Sequence, residues 1–223
     1  MTTSSPDTPS VQEYPGLTVH GIVGDFERHL QHVPAALGPR LLVFLGGTLG
    51  NFLPGSRRRF LRQIARVLTD DDFLLLGTDL VKNPVTLRAA YDDSAGVTAE
   101  FNRNVLHVVN RELDADFDPA SFEHVALFDT HHEWIEMRLR ARTRQVVRIR
   151  ALDLYACFEA GEEMRTEISA KFTRPRLEND LAAAGLELAD WLTDVDEQFA
   201  VSLSRRGDLD EGRTSPNGSR VRG

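Results

Sequence analysis

Two segments combine the residue types and spacing from which ligand chemistry can be built. In VHGIVGDFERHL (19–30) an apolar run stops at Gly24-Asp25-Phe26, and in RLLVFLGGTLGNF (40–52) another stops at Gly46-Gly47-Thr48-Leu49-Gly50-Asn51. Small residues and then a polar group at a strand's carboxyl end are how a parallel-sheet enzyme presents ligand contacts. A carboxylate beside an aromatic ring suits a purine: Asp25 accepts from an exocyclic amine while Phe26 packs on the ring face. The same pair also reads as a helix N-cap followed by a core phenylalanine. At the second segment, glycines at 46, 47 and 50 let the backbone adopt positive φ and approach a ligand closely. Asn51 adds a neutral side chain that both donates and accepts. The run is neither GxGxxG nor a P-loop, since no Gly-Lys-Ser/Thr follows. Thr78-Asp79, after a third apolar run, either lines the same crevice or caps a helix. Glu167-Ile168-Ser169 alternates as a strand does, which sets an acid and a hydroxyl on one face. That pair suits a polar ring with two N–H groups, such as imidazole.

Other reactive side chains fall into no constellation. His131-His132-Glu133 reads as a polar hairpin turn, because adjacent strand residues point to opposite faces. His20, His29, His32, His107 and His124 are scattered without metal-ligand spacing, and there is no G-x-S-x-G elbow. The lone Cys157, set among apolar neighbours in LDLYACFEAG, reads as a core residue and rules out an internal disulfide.

The elements that must position these groups alternate. Leu17 to Val23 is expected as a strand, Asp25 to Leu30 as a short helix, and Leu41 to Leu45 as a strand buried on both faces. Arg57 to Leu68 is expected as a helix with Phe60, Leu61, Ile64, Ala65 and Leu68 inward and Arg57, Arg58, Arg62 and Arg66 solvated. Phe73 to Leu76 reads as a strand. Leu87 to Tyr91 and Val97 to Leu113 read as helices, the second with Phe101, Val105, Val109 and Leu113 in one stripe. Phe122 to Phe128 and Trp134 to Ile149 then read as antiparallel strands. Pro175 to Ala184 is a helix opened by proline and closed by Gly185, and Leu186 to Leu192 and Phe199 to Leu203 are closing strands. Helices between strands require a mostly parallel sheet, so the fold class is α/β with an added α+β lobe.

With 41% hydrophobic and 27% charged residues the composition is that of a globular protein. A net charge of −8 argues against nucleic-acid binding. No apolar run reaches the roughly 20 residues of a membrane span, and MTTSSPDTPS has no signal-peptide pattern, so a cytoplasmic location is expected. RGD at 206–208 and NGS at 217–219 need an extracellular setting and carry no weight.

Taken in order, GDFERHL, LVFLGGTLGN, LLLGTDLVK, AYDDSAGVTAEFNRNVL, NRELDADFD, FEHVA, IEMRLRAR and GEEMRTEISAKF resemble the S-adenosylmethionine-dependent histidine N-alpha-methyltransferases of ergothioneine biosynthesis, over about Val11 to Leu203. The resemblance implies a Rossmann-like methyltransferase fold and conversion of L-histidine to its trimethylated betaine, hercynine. It implies that Asp25 and Phe26 contact the adenine of S-adenosylmethionine and that Gly46 lies where cofactor and substrate amine meet. On the substrate, it sets Asn51 on the α-amino end, as the catalytic residue, and Tyr91 on the carboxylate. Glu167 and Ser169 then grip the imidazole, with Thr98 and Met137 as further pocket positions. The expected division is a disordered start at 1–10, a partial methyltransferase domain at 11–93 and a substrate-binding lobe at 94–173. A closing helix and strands follow at 174–204, then a disordered tail at 205–223. One departure stands out: the family's opening strand, its glycine-rich cofactor loop and the acid for the ribose have no counterpart. That would make the chain a truncated product, a misplaced start, or half of an enzyme whose N-terminal half is supplied in trans. The alternative function is an inactive remnant that binds a partner.

Overall fold

The structure is a computed structural model and describes residues 18–34 and 38–207. The expected tails at 1–10 and 205–223 lie outside those residues, except that the last strand runs on to Arg206. Helix α1, Phe26–His29, begins at Asp25, whose carboxylate accepts from the Glu27 N–H at 2.8 Å. Strand β1, Leu41–Phe44, leads through the Gly46-Gly47 turn into helix α2, Pro54–Val67, with proline fixing φ in its first turn. Strand β2, Phe73–Asp79, ends at helix α3, Pro84–Tyr91, whose first turn is capped by the Asn83 side chain on the Val85 N–H. Helix α4, Val97–Leu113, starts where Asp93 accepts from the N–H groups of Val97 and Thr98. Strands β3 (Phe122–Asp129), β4 (Trp134–Ala141), β5 (Gln145–Ile149), β6 (Leu154–Phe158) and β7 (Glu163–Ala170) follow. Helix α5, Arg174–Ala182, and strands β8 (Leu186–Thr193) and β9 (Phe199–Arg206) complete the described chain.

The main sheet has the order β1-β2-β9-β8. The pair β1–β2 is parallel, joined by α2 as crossover; β9 runs antiparallel to β2, and β8 antiparallel to β9. A second, antiparallel sheet, β3-β4-β7, forms the added lobe, with the β5–β6 hairpin beside it. The two sheets are tied together where β7 runs past its end. The Phe172 N–H bonds the Asp79 carbonyl at 2.9 Å, and the Val81 N–H bonds the Phe172 carbonyl at 3.0 Å. This seam brings β7 of the lobe against the carboxyl end of β2.

One face of the main sheet is packed: Leu74 and Leu76 of β2 meet Phe60, Leu61 and Ile64 of α2 and Leu177 and Leu181 of α5. Beneath them Arg57 is almost fully buried and pairs with Asp180 at 2.7 Å, so it joins α2 to α5 rather than facing solvent. The other face carries Leu41 and Val43 of β1, with Leu75 and Leu203 in register beside Val43, and Leu192 beside Val201. Leu41, Val43 and Leu45 are each about half exposed (53%, 50% and 50%), so among the described residues that face is uncovered. The expectation of a β1 buried on both faces therefore fails on one side.

Other differences follow from the same packing. Residues 18–23 form no strand. In α4 the buried residues are Asn102 and Leu106; Val109 and Leu113 of the expected stripe pack beside them, while Phe101 and Val105 stand exposed, because β3 and β4 lie on the Leu106 side. Cys157 is exposed because it lies, in register with the exposed Val146, on the outer face of the β5–β6 hairpin, whose other face packs through Val147, Ile149 and Phe158. The 131–133 segment is a turn as expected, closed by Asp129 accepting from the N–H groups of His131 and His132.

Candidate functional site

The carboxyl ends of β1 and β2 and the face of β7 enclose a cavity of about 410 Å³, lined by Gly46, Gly47, Asn51, Asp79, Tyr91, Glu167, Ser169 and Phe199. Residues far apart in the chain meet here because of three local choices. Gly46 and Gly47 both take positive φ (+84° and +70°), which turns the chain sharply off β1. A side chain at Gly47 would meet nothing within 4 Å, so its backbone lies open to the cavity. Gly50 has the opposite role: a Cβ there would sit 2.6 Å from the Ala170 carbonyl oxygen. Only glycine lets the turn lie against β7, and that contact delivers Asn51 beside the β7 side chains. The Asn51 side chain has no hydrogen-bond partner among the described residues and is free to take one from a ligand.

On β7, Glu167 and Ser169 lie two residues apart on one face. Across the strand pair, Met137 is in register with Glu167 and Ile135 with Ser169. Met137 is buried with Ile135 and Leu87, against Tyr91. It backs the cavity wall rather than lining it. Burial pushes the Glu167 carboxyl above its ordinary range, with the nearby Lys171 charge opposing. No hydrogen bond to the Glu167 carboxylate exists among the described residues.

Ser169 is held from behind. Lys171, fully buried, donates from Nζ to Asp79 Oδ2 (2.7 Å), Tyr91 Oη (2.8 Å) and Ser169 Oγ (3.0 Å). The Tyr91 hydroxyl donates to Ser169 Oγ at 2.8 Å. Asp79 is also paired with Lys82 through its other oxygen at 2.7 Å. The Tyr91 main chain is pinned in turn: its carbonyl bonds His124 Nε2 at 2.8 Å, and His124 Nδ1 meets the Asn102 amide at 2.9 Å. Tyr91, which the resemblance sets on a substrate carboxylate, lines the cavity, and its hydroxyl is engaged by Ser169 and Lys171. Lys171 itself went unnoticed. It continues the Glu167, Ser169 alternation by one more step, which is the signal that could have found it.

The remaining expected residues lie elsewhere. Thr98 sits at the start of α4, its N–H bonded to Asp93 Oδ1 at 2.8 Å, outside the cavity lining. Asp25 and Phe26 border a separate concavity of about 170 Å³ with Ile22, Gly24, His29, Leu30 and Val33. Phe26 packs against Phe44, Phe52 and Phe60, with centroids 5.6, 6.4 and 5.8 Å away. Asp25 caps α1 through Oδ1, while Oδ2 lies 3.4 Å from Arg28 Nε and is accessible. Of the two readings of Gly24-Asp25-Phe26, the cap and the core contact are made. No cluster of metal-ligating side chains occurs among the described residues.

Comparison with known proteins places these features in a family. A family model described as "Histidine-specific methyltransferase, SAM-dependent" matches residues 8–206. The chain is 55% identical over 194 residues to the histidine N-alpha-methyltransferase of Mycolicibacterium smegmatis, covering 87% of this chain and 60% of that protein. It is 53% identical over 195 residues to the protein of the same name from Mycobacterium tuberculosis, again covering 87% and 60%. The chain therefore spans about 60% of the length of these curated relatives. Among solved structures, an S-adenosylmethionine-dependent methyltransferase from Clostridium acetobutylicum aligns with 89% of this chain and 68% of its own, at 8% identity and a TM-score of 0.43.

Proposed function

This chain belongs to the histidine-specific, S-adenosylmethionine-dependent methyltransferase family, and on that premise we propose that its cavity holds L-histidine for successive methylation of the α-amino nitrogen. The product is the trimethylated betaine of ergothioneine biosynthesis. The observation that carries this reading is the cavity where an unpartnered amide, a desolvated carboxylate and a hydroxyl converge between the ends of β1 and β2 and the face of β7. Its size suits one amino acid.

Glu167 and Ser169 bind the ring, and Asn51 takes the α-amino end. S-adenosylmethionine, when bound, supplies an electrophilic methyl group on a sulfonium. The open backbone of Gly46 and Gly47 fits a group approaching closely at the end of β1, and the exposed Asp25 carboxylate, which Arg28 would have to share, and the edge of Phe26 fit a purine. Transfer to an amine needs a free lone pair, little water and alignment, so positioning is the main contribution. Asn51 Oδ1 accepts an amine N–H and leaves the lone pair free, without adding charge. Each of the first two methyls replaces one N–H, whose proton passes to solvent, and the third takes up the last lone pair, so the grip passes progressively to Glu167 and Ser169 at the ring.

The uncovered face of the main sheet favours a second element of this reading. Leu41, Val43, Leu45 and Leu192 present an apolar surface next to a β1 edge that is unpaired among the described residues, which is costly to leave in water. We propose that further polypeptide covers this face and supplies the remaining cofactor contacts, in trans if this chain works as a half-enzyme. The test is mass spectrometry of histidine incubated with S-adenosylmethionine and the chain. It is run alone and with the part of the Mycolicibacterium relative that the chain does not match. Trimethylated histidine in either reaction supports the reading. No product in either, while the full relative is active alongside, overturns it.

A further inference from the structure

Lys171 is the buried charge that the methyl-transfer chemistry leaves unused. An ammonium has three donors and no lone pair. Lys171 spends all three on Asp79, Tyr91 and Ser169, so it has nothing left for a ligand. Its effect is on Ser169. That hydroxyl oxygen has two lone pairs; one is filled by Lys171 at 3.0 Å and the other by the Tyr91 hydroxyl at 2.8 Å. The only capacity left to Ser169 is its own O–H, and the cavity is the direction still open to it. Glu167, two residues away on the same face, is a carboxylate without a partner among the described residues. The subsite thus offers one donor and one acceptor, and their roles cannot be exchanged.

We propose that Lys171 is a positioning and specificity-determining residue: acting with Tyr91, it fixes Ser169 as a donor only, so that the subsite takes an imidazole ring in its neutral form. The bare ring nitrogen then faces Ser169 and the ring N–H faces Glu167. A protonated ring carries N–H on both nitrogens and would aim one at an oxygen whose lone pairs are filled. The surrounding charges do not override this preference. Glu167 and Lys171 on the β7 side and Asp79 and Lys82 at the end of β2 sum to zero. From β3, His124 bonds only the Tyr91 carbonyl and the Asn102 amide, and from α5 Arg176 reaches only the Lys171 carbonyl within this group. The inference rests on the histidine reading of the site.

The test is a nitrogen-15 NMR titration of ring-labelled L-histidine bound to the full chain. The labelled nitrogens report the protonation state of the bound ring directly. In the unmodified chain the bound ring is expected to protonate at least one pH unit below free histidine, about a tenfold preference for the neutral form. In Lys171→Met that preference is lost and the midpoint moves to the free value or above it. Asp79 keeps Lys82 in this variant, so no buried carboxylate is stranded. If circular dichroism shows that Lys171→Met is unfolded, Tyr91→Phe replaces it. That variant keeps the Lys171 charge, frees one Ser169 lone pair, and moves the midpoint in the same direction. A bound ring that is protonated like free histidine or more readily, or a midpoint unchanged in the folded variant, overturns the inference and leaves the histidine reading intact. Failure of the unmodified chain to bind histidine overturns both.

Discussion

Replacing Glu167 with glutamine separates recognition from folding more cleanly than any other change at this site. The carboxylate has no partner among the described residues, so the substitution strands nothing, and glutamine keeps the size. What is lost is a charge-assisted hydrogen bond to the ring N–H. Bonds to charged groups contribute about 1.5–3 kcal/mol, which corresponds to a roughly 10- to 150-fold weaker Kd for histidine. Stability should move the other way. Burial raises the Glu167 carboxyl in the folded chain, so between the unfolded and folded values the native state holds more protons. Stability therefore falls as pH rises through that window. Glutamine removes that loss, and the neutral-pH melting temperature should rise. Isothermal titration with L-histidine and with S-adenosylhomocysteine, beside thermal melts, reads all three quantities. Equal weakening of both ligands, or a lower melting temperature, would refute the reasoning, since either outcome means that Glu167 supports the fold rather than the ring.

Asp180→Ala leaves Arg57 charged and nearly fully buried without its partner, which should cost about 3–5 kcal/mol in chemical denaturation; Arg57→Met in the same chain should recover most of it. Gly50→Ala drives a Cβ to within 2.6 Å of the Ala170 carbonyl. It should destabilise by about 1–3 kcal/mol and weaken histidine binding by displacing Asn51. Asp72 and Asp93 are both held down to about 2 in the folded chain, Asp72 chiefly by the Thr69 N–H and Asp93 by Thr98. Their contribution is present above about pH 4, the ordinary aspartate range. It should disappear as pH falls through about 2, as an acid titration followed by circular dichroism would register. Val43→Lys with Leu45→Lys should reduce dye binding and self-association of the isolated chain while leaving its far-ultraviolet spectrum unchanged, because both side chains lie on the uncovered face.

Much of this protein was legible without coordinates because its signals are local. Proline at the start of α2 and α3, the apolar run of β1 and the inward stripe of α2 depend on near neighbours in sequence. So does the pairing of Glu167 with Ser169 on one face, since alternation along a strand is a property of the backbone. The glycines of the β1 turn announced themselves in the same way, and the long motifs carried the family.

Tertiary structure decided what those local patterns would be used for. Five arginines on α2 look alike in sequence, yet Arg57 is buried because α5 places Asp180 opposite it. Phe101 and Val105 satisfy a helical stripe as well as Leu106 does, and only the position of β3 and β4 selects the Leu106 face. An apolar β1 predicted two covered faces, but a strand's composition cannot say whether a second layer of helices will arrive. The site itself depends on the seam between the two sheets. The contact of Gly50 with Ala170 and the Phe172–Asp79 hydrogen bond bring β7 to the end of β2. Only then do Asp79 of β2, Tyr91 of α3, Ser169 of β7 and Lys171 just beyond it share one set of hydrogen bonds. Side-chain chemistry is written in the sequence, but the direction in which a hydroxyl must donate is set by which partners fill its lone pairs. Those partners are chosen by packing between distant segments.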